Sequence, residues 1–346
     1  MYFIDVFLIC AYPATHLLDH SIRSDHLTLS MKAINSTSSS PIWSASPTPL
    51  SEDGTIDRAS IPRMVEHHLR LQIDGIMLCG SCGEGPWLPD LERETLVKDT
   101  VEAAAGRLPV AVQITDSSQQ RMLEFARRCA DWGADMIVVA QPYHIANRTP
   151  RRIFEIIRDT IRDAPLPAGF YDRGTITQNP LDAEFIPDLI SETNLVLLKD
   201  SSADIAKRTA YVTAASTRPD LQLLNGVEFS LPDYIDAGYH GALLGGAIFN
   251  ARIARQIFEA HRAGDISGAN SLQERMNELM WIAYGGKSIT CWLSGLKCLL
   301  CRMGVFSTIT NLPDYSLTDE CRDAIEEIFD GDDPYGFLAD LLPDPA

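Results

Sequence analysis

The chain has 346 residues, 45% of them hydrophobic and 22% charged, with 22 Gly and 20 Pro, the composition of an ordinary globular protein able to bury a large core. Lys and Arg number 29 against 47 Asp and Glu; the resulting net charge of −18 repels nucleic-acid backbones and anionic membrane surfaces, and no basic patch interrupts it. Eight cysteines scattered along so long a chain exclude a small disulfide scaffold and suit reduced thiols in a cytoplasm.

The opening MYFIDVFLICAY is apolar but too short to cross a bilayer, carries Asp5, and follows no basic run, so it makes a poor signal peptide. Residues 31–41, MKAINSTSSSP, are polar and Ser-rich and begin with Met. Residues 1–40 are therefore expected to be a flexible extension, with an overlong start as the alternative for the part before Met31. From Ile42 onward, short apolar runs alternate with helical stretches such as 121–132 and 152–162, the pattern of parallel strands joined by crossover helices. The runs are IWSAS (42–46), GIMLC (75–79), VAVQI (110–114), DMIVVA (135–140), AGFYD (168–172), LVLLK (195–199), LQLLN (221–225) and GALLG (241–245). Eight such units predict an α/β fold, one (β/α)8 TIM barrel with its core over 41–250, with the open doubly wound sheet as the alternative. Beyond it the sequence reads as helical to about residue 330, which predicts three helices after the barrel's last one. Residues 251–346 are assigned to that last helix and a C-terminal helical extension.

Barrel chemistry sits where strands end. Lys199 closes LVLLK among apolar neighbours, where desolvation leaves some neutral amine to attack a carbonyl; alternatively it pairs with Asp200 or reaches out to solvent. Tyr171 ends the preceding strand, so a phenol and an amine face one cavity; the alternative is a packed aromatic with a satisfied hydroxyl. After the second strand, Gly80-Ser81-Cys82-Gly83-Glu84-Gly85 offers successive amide N–H groups to an anion, or is a plain tight turn, and Pro89, Asp90 and Glu92 suit a helix start behind it. Cys79 with Cys82, and Cys298 with Cys301, form two C-x2-C pairs. A zinc site needs these distant pairs to converge, and the second pair, on the helical GLKCLLCRMG, reads better as core packing.

GSCGE after strand two, Pro142-Tyr143 after strand four, FYD ending strand five, LLKDS ending strand six and Asn225-Gly226 after strand seven together resemble the dihydrodipicolinate synthase and N-acetylneuraminate lyase family. TPLSEDGTID after strand one is similar to the family's opening, and the separation 199 − 171 = 28 matches its phenol-to-lysine spacing. The resemblance covers about residues 42–330. It implies a class I aldolase mechanism in which Lys199 holds pyruvate or another 2-oxo acid as an imine and Tyr171 relays protons. Ser81 and the amides around Cys82 and Gly83 would hold the pyruvate carboxylate, with the backbone near Leu243 on the other side. It also implies that no metal or organic cofactor is required, and a homotetramer built from dimers.

Three departures bear on the site, the first on pyruvate-carboxylate binding, the second on the proton relay and the third on the second substrate. Cys82 replaces the family's usual Thr, His144 stands where the synthase has a second relay tyrosine, and Ile176 stands where the synthase has an arginine that grips the second carboxylate. Arg173 is a candidate substitute for that arginine; the alternative is an ion pair with Asp172 or another acid. The expected function is a pyruvate-dependent aldolase or lyase acting on a 2-oxo acid or sugar acid; the alternatives are the lysine-pathway synthase itself and a non-catalytic 2-oxo-acid-binding relative.

Overall fold

Eight short parallel strands, each hydrogen-bonded to the next and the last to the first, close a barrel in the computed structural model, which describes residues 40–144, 148–329 and 336–342. The strands are β1 (Ile42–Ala45), β2 (Gly75–Leu78), β3 (Val110–Gln113), β4 (Met136–Ala140), β5 (Ala168–Asp172), β6 (Leu195–Asp200), β7 (Gln222–Asn225) and β8 (Gly241–Leu244). Each lies within one residue of its expected bounds. Cys79, expected to close β2, instead has a φ of 57° and turns the chain out of the strand. The expected N-terminal extension lies, up to residue 39, outside the described residues.

Both faces of the sheet are covered, so the strands are apolar over most of their length rather than alternating regularly with polar residues. One face fills the barrel with Trp43, Met77, Met136, Val138, Tyr171, Leu197, Leu224 and Leu243. The other packs Ile76, Leu78, Val112, Ile137, Phe170 and Leu198 against the helices. These are α1 (Ser60–Arg70), α2 (Asp90–Ala104), α3 (Gln119–Asp131), α4 (Pro150–Asp163), α5 (Ile186–Ile190), α6 (Ile205–Ala215), α7 (Leu231–Ala237) and α8 (Ala247–Arg262). Local chemistry starts several of them: Ser118 accepts from the Arg121 amide, Thr149 from that of Arg152, and Asp204 from those of Ala206 and Lys207.

Three longer helices follow, α9 (Ile266–Tyr284), α10 (Trp292–Arg302) and α11 (Asp319–Phe329), and then the short α12 (Leu338–Leu341). The expectation of helix throughout this region fails over 303–318. Gly304 takes a φ of 71° behind α10, and the chain runs back over the barrel, where the Thr308 hydroxyl donates to the Leu50 carbonyl at 2.7 Å. Cys298 is buried and Cys301 packs against the core from α10, as expected. Among the described residues no helix is long and apolar enough to cross a membrane.

Two adjacent histidines on α1 tie this helix to the barrel. His67 donates through Nε2 to the Ile248 carbonyl at 2.7 Å; His68 donates through Nδ1 to the Met64 carbonyl and receives the Ser44 hydroxyl at Nε2, 2.9 Å away. Burial lowers the first to about 4 and the second to about 3, so both are neutral in the folded protein. The unfolded chain takes up these protons at about 6.5. Stability is therefore fully present above pH 6.5 and is lost as pH falls from there towards 4, by about 2 to 3 kcal/mol per histidine. Urea unfolding between pH 7.5 and 4.5 should show this fall, and a His68→Asn variant should remove about half of it.

Candidate active site

In parallel strands, register partners point the same way, and the register pairs Tyr171 of β5 with Lys199 of β6 and Lys199 with Leu224 of β7. These three face the barrel interior, while Asp172 and Asp200 face outward. The Lys199 nitrogen lies 4.4 Å from the centroid of the Tyr171 ring. Lys199, Lys207 and Lys297 are the buried lysines among the described residues, and the other two are held in ion pairs, Lys207 with Asp172 at 2.9 Å and Lys297 with Glu84. Lys199, 5% exposed, makes no ion pair or hydrogen bond among the described residues. Its pairing with Asp200, left open by the sequence, is not made: that carboxylate accepts the Tyr239 hydroxyl at 2.6 Å and the Ser202 amide at 2.8 Å. The Tyr171 hydroxyl likewise finds no partner in the described chain. A Cβ on Gly226 would stand 2.0 Å from Ser201 Oγ and 2.8 Å from Lys199 Cε, so only glycine lets the turn after β7 pass this close to the amine.

The loop after β2 is tightly curled. The Glu84 amide donates to the Ser81 carbonyl and the Gly85 amide to that of Gly80, at 3.2 and 3.1 Å. Glu84 takes a φ of 56°, and a Cβ on Gly85 would come within 1.9 Å of the Cys79 carbonyl oxygen. Among the described residues the amides of Ser81, Cys82 and Gly83 find no acceptor in the chain, which leaves them for an anion. From the other side the Thr48 hydroxyl donates to the Gly83 carbonyl at 2.6 Å. Cys82 is buried, with its sulfur 4.0 Å from the Gly245 carbonyl. Burial first, and then the charge of Glu228, pushes its thiol up to about 12, so it stays neutral at physiological pH.

Glu228, just past the Asn225-Gly226 pair, is a site residue that sequence reasoning missed. Its carboxylate accepts the Gly246 amide at 2.5 Å and the Tyr284 hydroxyl at 3.1 Å. Desolvation raises its pKa, and the Lys199 charge counters part of that rise. Leu243 stands on β8 beside Trp43, with its side chain inside the barrel; the backbone that meets Cys82 and Glu228 begins two residues on, at Gly245. Two further missed groups lie behind the site. Asp172 accepts from Lys207, Tyr211, Gln141 and the Gly174 amide, and Glu84 from Lys297 and the Leu312 amide. Both lie within motifs the sequence had marked, Asp172 in FYD and Glu84 in GSCGE, but neither carried a role there.

Above the loops after β2 to β5 opens a cavity of about 580 Å³. Ser81, His144 and Arg173 line it; Lys199, Tyr171, Cys82, Gly83 and Leu243 are buried and do not. Other cations at the cavity are engaged, Arg121 by Asp116 at 2.8 Å and Arg93 by Asp90. Arg173 has no ion pair among the described residues, and its amide donates to Gln141 at 3.2 Å. Ile176, 78% exposed, lies at the rim, and His144 stands exposed with a φ of 47°. The Tyr143 hydroxyl accepts from Gln113 at 3.1 Å. The arrangement offers a buried amine, a free phenol, three free amides and a polar cavity with one unpaired cation, which suits a small oxo acid with a polar tail.

The model of the dihydrodipicolinate synthetase family matches residues 38–331. The chain is 26% identical over 229 residues to the probable 2-dehydro-3-deoxy-D-pentonate aldolase of Escherichia coli (strain K12), covering 66% of this chain and 76% of that protein. It is 24% identical over 280 residues to the 4-hydroxy-tetrahydrodipicolinate synthase of Coxiella burnetii (strain Dugway 5J108-111), covering 81% and 93%. Among solved structures, dihydrodipicolinate synthase from Bacteroides thetaiotaomicron superimposes with a TM-score of 0.75 at 27% identity, covering 84% of this chain and 98% of that one.

Proposed function

The chain belongs to the dihydrodipicolinate synthetase family, and on that premise we propose that it is a Schiff-base pyruvate aldolase or lyase acting on a hydroxylated 2-oxo acid of the sugar-acid type. The observation that carries this reading is Lys199: a buried amine with no carboxylate partner, set over the ring of a tyrosine whose hydroxyl is also free. A non-catalytic binding relative has no use for such a costly arrangement.

In this reading the Lys199 nitrogen adds to the C2 carbonyl of the substrate, and the carbinolamine loses water to leave a cationic imine. The imine draws in the electron pair released when the C3–C4 bond breaks, so an enamine forms in place of a bare carbanion. Tyr171 removes the C4 hydroxyl proton as the aldehyde leaves and returns a proton to C3. Water then releases pyruvate and restores the amine. The free amides of Ser81, Cys82 and Gly83 hold the C1 carboxylate; the neutral Cys82 thiol adds little, being a weak hydrogen-bond partner. The Gly245 backbone closes the other side, and Glu228 and Arg173 face the rest of the substrate. His144 is placed to meet its far end. With this activity go a cytoplasmic location and a tetramer built from dimers.

The test is a comparison of substrates. The synthase reaction needs a cation for the carboxylate of aspartate semialdehyde, a contact worth roughly 1.5 to 3 kcal/mol, or about one to two decades in affinity. Ile176 cannot supply it. We expect kcat/KM with pyruvate and aspartate semialdehyde below roughly 10⁴ M⁻¹s⁻¹, alongside efficient pyruvate release from a longer 2-oxo sugar acid. A higher value with the semialdehyde would make the chain a synthase, its carboxylate contact then falling to Arg173.

A further inference from the structure

The carboxylate-binding loop is held from outside the barrel. Glu84 is fully buried inside GSCGEG, in a left-handed backbone conformation that a non-glycine residue adopts only when its surroundings fix it. Its partner lies 213 residues away: Lys297, from the middle of α10, is equally buried and donates to Glu84 Oε1. The same ammonium donates to the Thr310 carbonyl at 2.6 Å, and the Leu312 amide donates to Glu84 Oε2 at 2.6 Å. Thr308, in the same non-helical stretch, is anchored on the loop after β1 through Leu50, and Thr48 of that loop holds the Gly83 carbonyl. The three free amides therefore sit in a turn pinned on one side by Thr48 and on the other by the C-terminal extension.

We infer that Lys297 is a positioning residue for pyruvate binding, acting through Glu84 to fix the direction of the Ser81, Cys82 and Gly83 amides, so that the C-terminal extension completes a site to which it contributes no contacting group. The inference rests on the proposed function in taking pyruvate as the ligand of those amides. A buried ion pair adds little net stability, because the desolvation of two charges offsets their attraction. Geometry is a better account of its presence here. Buried carboxylates and ammonium groups hold one arrangement when every lone pair and proton is used, and both partners here have additional backbone hydrogen bonds.

The experiment titrates pyruvate and traps the imine at Lys199 with borohydride, counting adduct per folded molecule, in the wild type, in Lys297→Met and in Glu84→Gln/Lys297→Met. The double variant leaves no unpaired charge, so it keeps a folded protein available if the single variant unfolds. The expected result is a half-saturating pyruvate concentration raised about tenfold or more in both, with trapping at saturation changed much less, since one well-directed hydrogen bond to a charged group is worth about a decade or more. Wild-type hydrogen exchange supplies a readout independent of variants: pyruvate should slow exchange at residues 308–312 as well as at 80–85. Wild-type half-saturation in the folded variants, or protection confined to 80–85, overturns the inference and leaves Lys297 a structural residue. Absence of any pyruvate adduct on wild-type Lys199 is a different result, and sinks the proposed function instead.

Discussion

Replacing Lys199 with alanine should abolish turnover of every 2-oxo acid the protein accepts, with a loss approaching the roughly 10⁶-fold that marks the low end of enzymic rate enhancement. The proposed reaction needs a covalent electron sink, and among the described buried lysines no other is free of a carboxylate. Borohydride added with pyruvate should leave a carboxyethyl adduct, the reduced pyruvate imine, on the peptide that carries Lys199 and on no other. The same substitution should leave the thermal midpoint unchanged or raise it. An unpartnered buried amine costs stability, and its removal breaks no ion pair or hydrogen bond among the described residues. Lys297→Ala is the contrast, because it strands Glu84 and should cost about 3 to 5 kcal/mol. An adduct that maps to another lysine, or full activity in the alanine variant, would end the imine mechanism as written.

How far the sequence foretold this site depends on which kind of contact a residue makes. The eight strands were legible because apolar runs in a parallel sheet are local facts, and strand ends then locate Tyr171 and Lys199 without further information. That Lys199 lacks a partner was not legible. Asp200 is its neighbour in sequence, and only the outward turn of alternate residues sends that carboxylate to Tyr239. Glu228 escaped notice because its role comes from the Gly246 amide and the Tyr284 hydroxyl, 18 and 56 residues away. Lys297 was hidden in GLKCLLCRMG, a helix read for its cysteines, since no local pattern shows a side chain reaching 213 residues back to Glu84. The stretch 303–318 was taken for helix because its apolar residues were read by period alone; its work is to cross the barrel and meet Leu50 and Glu84.

Tyr171→Phe isolates the proton relay more cleanly than most substitutions of a buried tyrosine. The hydroxyl has no hydrogen-bond partner among the described residues, so its loss orphans nothing, and the ring that lies 4.4 Å from the Lys199 nitrogen is kept. Packing beside Val138, Leu197 and Leu243 should survive, and with it the fold. What goes is the group proposed to move protons to and from the reacting atoms. Turnover should fall by roughly 10²- to 10⁴-fold, the usual worth of a placed general acid or base. Imine formation involves proton transfers of its own as the carbinolamine loses water, so borohydride trapping should slow as well. Pyruvate affinity should change much less, because the proposed mechanism gives the carboxylate to the amides of the GSCGEG loop and not to the phenol. This split between a large loss in kcat and a small shift in half-saturation distinguishes a relay from a binding residue. A folded variant with undiminished turnover would return Tyr171 to the role of an aromatic cap on the barrel interior, and the proton path would then be sought through Glu228, a buried carboxyl within electrostatic reach of Lys199.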